Sequence, residues 1–224
     1  MSLRLHEDVL VYGSSKSMPL MKLPVMTTAI RTSRGIVLIA PGQETAHHEA
    51  QLEQFGRVTD IVAPNLYHHE SILLAQKTFP QASLWGVVGF REKRPDIGWD
   101  KVLTRDSWNY ADEIDLIEIK GTNINEMVFF HQKSKILVVT DLFFNLMHPK
   151  GVGAWLILKM FGTYKKFGIS SFYMRGVHDL EEFKRSLKEI LKFDFQTIVV
   201  AHGEPLKQDA RAHFERALHE RNLL

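Results

Sequence analysis

The chain has 224 residues, 45% hydrophobic and 24% charged, a mixture that buries a core and lies far from the composition of disordered chains. Its 28 Lys and Arg against 26 Asp and Glu leave a formal charge of +2, too small to imply a nucleic-acid or membrane partner unless basic residues cluster in a patch. With no cysteine, disulfides, thiolate ligands and cysteine nucleophiles are excluded, so any metal must be held by His, Asp or Glu.

The length suits one domain over residues 1–224. The first twelve residues alternate charged and apolar side chains without the apolar run of a signal peptide, and no stretch approaches the ~20 apolar residues of a membrane span. A cytoplasmic protein with a small-molecule ligand, no nucleic acid and no membrane is expected.

In chain order, residues 8–12 read as a short strand and 13–24, rich in Ser, Gly and Pro, as a loop; 25–31 resumes strand chemistry. The apolar run 36–40, ended by Pro41-Gly42, predicts a strand buried on both faces. Helical spacing over 45–55 stops at Gly56, and 58–63 is a second buried strand. Ser71 opens a helix over 71–79, with Pro80 just beyond it, and 84–88 is a strand. Residues 89–112 read as an irregular, lid-like excursion in which Asp96, Asp100 and Asp106 offset the charge of Arg91, Lys93, Arg94, Lys101 and Arg105. Strands follow at 114–119, 126–131 and 136–140, the last delivering Asp141 at its C-terminal end. Residues 142–174 are aromatic and Gly-rich, with a helical patch at 155–161. An amphipathic helix with Asp179 as N-cap covers 179–193, the last strand is 197–201, and 209–218 closes the chain as a helix.

Three buried strands are followed by metal-capable side chains: His68 and His69 after 58–63, Asp141 after 136–140, and His202 after 197–201. Ligand sites of α/β sheets are built where strand ends converge; the strands over 36–40, 58–63 and 136–140 are expected to share one sheet, with 197–201 close to the same edge. Three imidazoles and a carboxylate suit one divalent ion, Zn first, then Fe or Mn. Asn65, Asn145, His148 and Glu204 are pocket candidates, Glu204 as a group able to orient His202. His131 falls at the opposite end of its hairpin and reads as a surface residue.

These motifs, in this order, resemble the metallo-β-lactamase superfamily, and within it the DUF4336 branch. The resemblance implies a four-layer αββα sandwich in the α/β class. Residues 63–69 align with the Thr-His-x-His-x-Asp-His signature so that Ala63 stands at the Thr, Pro64 and Leu66 at the first two His, His68 at the Asp and His69 at the last His. Residues 121–125 offer no His where the family has a third ligand for its first metal. The resemblance therefore implies a degenerate site with at most one metal, held by His68, His69, Asp141 and His202, with Asp141 as the central catalytic residue. Two functions follow: a metal-dependent hydrolase of a small ester, lactone, amide or phosphoester, or a non-catalytic binding module.

Overall fold

The computed structural model describes residues 2–224. The first half of the chain builds β1 (Ser2–His6), β2 (Val9–Met18), β3 (Met21–Thr32), β4 (Gly35–Ile39), α1 (Glu49–Phe55), β5 (Val58–Ala63), α2 (Ile72–Thr78), β6 (Ser83–Gly86), α3 (Phe90–Lys93) and β7 (Lys101–Val102). Its seven strands form one sheet in sequence order. Strands β1 to β4 pair antiparallel and β4 to β7 parallel, so the helices cross over between the buried parallel strands.

The second half builds β8 (Ile114–Glu118), β9 (Met127–His131), β10 (Ile136–Val138), β11 (Phe144–Asn145), α4 (Val152–Phe161), β12 (Phe167–Gly168), α5 (Ser171–Met174), α6 (Leu180–Ile190), β13 (Thr197–Val199), β14 (His202–Gly203) and α7 (Ala210–His219). Strands β13, β10, β9 and β8 make a second sheet, and β12, β11 and β14 a third.

Side-chain alternation sets the layers. Ile114, Leu116, Met127, Phe129, Ile136 and Val138 pack into the core of the seven-stranded sheet. Their strand neighbours Ile117, Val128, Phe130 and Leu137 face away, into a second core with Phe183, Leu187 and Ile190 of α6 and Phe214 of α7. A period of two on each strand thus feeds two cores, and the order is helices, sheet, sheet, helices. Asp179 caps α6 by accepting from the Glu182 N–H at 2.9 Å, as its sequence position predicts. No helix among the described residues is long and apolar enough to cross a membrane.

Three expectations are corrected. The strands over 36–40 and 58–63 lie in one sheet, and those over 136–140 and 197–201 in another; a run buried on both faces says nothing of which sheet it joins. The expected loop over 13–24 is instead the distal half of a long hairpin, paired from Val9↔Ile30 to Met18↔Met21. Pro24 is tolerated because β4 pairs with β3 only over Thr28–Thr32, which leaves the stretch around Pro24 with a single strand neighbour in this sheet. The excursion over 89–112 is anchored rather than lid-like: its aromatic side chains enter the core while most of its charged residues stay exposed. Trp99 stacks on Phe90 at 4.6 Å, and Trp108 meets Trp85 edge-on at 5.3 Å.

Asp60 anchors that aromatic cluster: it is buried and accepts from the Trp85 indole N–H at 2.6 Å and from the Tyr110 hydroxyl. Asp60→Ala strands two buried donors and is expected to cost about 3 kcal/mol in urea unfolding. A loss under about 1 kcal/mol would contradict this account of the cluster.

Candidate metal centre

The loop after β5, the end of β10 and the start of β14 converge. Asp141 is the hub: the His202 Nε2 lies 3.0 Å from its Oδ1 and the His68 Nε2 3.3 Å from its Oδ2. Ligand atoms of these three residues all fall within 4.8 Å of one another. The Asn65 carboxamide donates to Asp141 Oδ2 at 2.7 Å and to Thr140 Oγ1 at 2.8 Å. Its own oxygen accepts from the N–H groups of Tyr67 and His68, an Asx-type turn that shapes the loop carrying His68. Gly203 follows His202 at φ 130°, where a Cβ would sit 2.1 Å from the Asn145 carbonyl oxygen; only glycine lets β14 approach β11 so closely.

The donor set suits a divalent ion. Ligand atoms ~2.1 Å from a tetrahedral ion are about 3.4 Å apart, close to the separations around Asp141. The His202 Nδ1–H donates to the Pro24 carbonyl at 2.9 Å, which fixes the ring and directs Nε2 to the site, the arrangement that ligating histidines use. In the metal-free protein the same nitrogen holds a proton toward Asp141. Burial works against the charged form of His202, but its hydrogen bond to Asp141 wins and raises its pKa. Burial likewise opposes ionisation of Asp141, yet His68 and His202 hold it well below the usual carboxylate range.

His69, one residue on, does not join this group. Its Nδ1 accepts from Arg94 at 2.7 Å, and burial together with the Arg94 charge lowers its pKa. Among the pocket candidates, Asn65 holds Asp141 from behind, and Asn145 donates to the Glu204 carbonyl at 2.7 Å. His148 and Glu204 are exposed and 3.7 Å apart; Pro24, rather than Glu204, takes the second nitrogen of His202. His131 is far from the site in its hairpin, but buried rather than on the surface, its Nδ1 2.7 Å from the Ser134 hydroxyl.

The three donors line a cavity of about 290 Å³ whose other walls are mostly apolar: Met18, Met21 and Leu23 of the hairpin, Ile157 and Phe161 of α4, and Phe172. The cavity thus lies between the long hairpin and α4. The Lys16–Glu70 ion pair, 2.5 Å, stands on its edge.

Behind the centre lies a carboxyl group that sequence reading passed over. Glu126 is fully buried and its Oε1 accepts from the Thr140 N–H at 2.7 Å, while Oε2 has no partner. Burial, and then the negative Asp141, push its pKa up to about 7. The buried hydroxyl of Tyr173 also lacks a partner of good geometry; burial, and then Glu126, raise its pKa well above the ordinary value. The available signal was a lone acid at the head of an otherwise apolar strand.

No sequence-family profile matches the chain, and no curated protein matches it. Solved structures do. A metallo-β-lactamase from Pontibacter korlensis aligns over 98% of both chains at 14% identity and a TM-score of 0.69. One from Erythrobacter litoralis covers 100% of this chain and 92% of its own at 14% identity, TM-score 0.66. A diflavin flavoprotein fragment from a Nostoc species covers 100% and 97% at 10% identity, TM-score 0.70. The chain therefore has the metallo-β-lactamase fold.

A raised carboxyl pKa stabilises the fold most below the unfolded value near 4.5, and that contribution is lost as pH rises through about 7. Glu126→Gln should therefore flatten the fall in stability of the metal-free protein between those pH values, a fall of at most about 3 kcal/mol. Urea midpoints measured across this range check it; parallel pH profiles for the two proteins would contradict it.

Proposed function

We propose that this protein is a mononuclear metal-dependent hydrolase, a degenerate member of the metallo-β-lactamase superfamily akin to its DUF4336 branch. The observation that carries the reading is the convergence of His68, Asp141 and His202 in the wall of an apolar cavity. A divalent ion held by these three, with Zn preferred over Fe or Mn, supplies Lewis-acid polarisation and a water of lowered pKa. The centre lacks the further ligands of a two-metal site, since Pro64 and Leu66 replace two histidines and 121–125 has none.

The chain's own groups supply the rest. Asp141 neutralises positive charge in the site. The Pro24 carbonyl and Asn65 keep His202 and Asp141 aimed. The apolar walls exclude water and take up a hydrocarbon group, so the substrate is a small ester, lactone, amide or phosphoester with an apolar body. His69 is reassigned from ligand to cavity wall, its nitrogen held by Arg94.

A binding module without catalysis is the second reading, favoured by one observation: Asp141, His68 and His202 already satisfy one another without an ion. Metal content separates the two. Untagged protein is expected to hold one ion per chain; Asp141→Ala and His202→Ala should lose it while remaining folded, and His69→Ala and His131→Ala should keep it. Hydrolysis of a panel of nitrophenyl esters should fall at least ~100-fold in the two ligand variants. Wild-type protein that takes up none of Zn, Fe or Mn would overturn the hydrolase reading in favour of the binding module.

A further inference from the structure

Helix α4 is apolar on both sides, yet only one side is covered. Ala154 and Leu158 are buried, whereas Val152, Trp155, Leu156 and Met160 are 81%, 47%, 53% and 62% exposed. These four follow the i, i+3, i+4, i+8 spacing of one helical face, with the exposed Lys159 at i+7. The patch extends to both sides. Gly153 is so close to the Leu20 backbone that a Cβ would sit 2.0 Å from its carbonyl oxygen, which places the exposed hairpin tip beside α4. On the other flank Phe161 meets Phe172, and Phe172 meets Tyr67. An apolar surface of this extent on a folded chain marks an interaction site.

Charge identifies the partner. Residues 142–178 carry Lys150, Lys159, Lys165, Lys166 and Arg175 and no acidic residue. All five are exposed, and of them Lys166 is ion-paired, with Glu220. Exposed Lys22 adds a charge at the hairpin tip. A second copy seated face to face would bring these like charges together. A sheet of anionic headgroups over hydrocarbon takes both features at once: apolar side chains enter the acyl boundary and the lysines reach the headgroups. We propose that the outer face of α4 and the hairpin tip dock this protein reversibly on an anionic lipid surface. The whole-chain charge of +2 conceals the patch because it averages over the molecule. The cavity opens between these same two elements, and docking turns its mouth toward the lipid. The docking itself does not depend on a metal or on catalysis.

Trp155 is the built-in probe, since Trp85, Trp99 and Trp108 are buried. The full chain is mixed with phosphatidylcholine vesicles with or without phosphatidylserine, and vesicle flotation and tryptophan emission are read together. Binding to the phosphatidylserine vesicles, with a blue shift that high salt reverses, is expected. Leu156→Glu with Met160→Glu should abolish both signals at unchanged thermal stability. Joint replacement of Lys150, Lys159 and Lys165 by Gln should weaken binding on the order of a hundredfold. No binding, equal binding to both vesicle types, or a dimer that the Leu156→Glu, Met160→Glu variant dissociates would each overturn the proposal.

Discussion

A carboxylate removed from water must be surrounded by donors or positive charge, because an unpaired one costs several kcal/mol. Asp141 is that group here, and its partners come from different parts of the fold. Asn65 and His68 follow a strand of the seven-stranded sheet, Asp141 follows β10 of the second sheet, and His202 belongs to the third. The sheets are stacked by apolar contacts, and this polar knot ties them together at one edge. Pro24 ties the hairpin into the same knot through His202. The wall of the cavity and the centre are therefore positioned by one set of hydrogen bonds.

Much of this was readable from the chain. Buried strands betray themselves by apolar runs, and a polar residue that ends such a run stands at a sheet edge; Asp141, His202 and the loop of His68 were found in that way. The neighbour His69 was not separable from His68, because successive side chains in a loop point apart and only the fold decides which one turns inward. Sheet membership was illegible for the same kind of reason: a strand buried on both faces looks alike in either sheet. Composition misled at two places. Ser, Gly and Pro at 13–24 suggested a loop, but a segment with one strand partner in its sheet accepts them. Charges interspersed through 89–112 suggested a lid, although Trp99 and Trp108 within it fill the core.

The solved structures of this fold share only 10–14% of their residues with this chain over nearly its whole length. The fold persists at that distance, and in this chain the alternation that feeds two cores is a rule that many apolar side chains satisfy equally well. The edge of the sheets is under no such rule. There Asn65, His68 and His202 gather around Asp141, and the buried Glu126 presses a carboxyl group against the strand that leads to Asp141.

The pairing of β10 with β13 and of β11 with β14 has a temporal consequence. The seven-stranded sheet is complete by Val102, with each strand beside its predecessor, so it can assemble while the chain is still leaving the ribosome. The second and third sheets wait for β13 and β14, about sixty residues after the strands they join. Asp141 is therefore synthesised long before His202 arrives to cover it. During that interval β10 and β11 present unpaired edges next to apolar residues, and a chain stalled or cut before residue 197 is left with an open sheet edge, the form most exposed to aggregation.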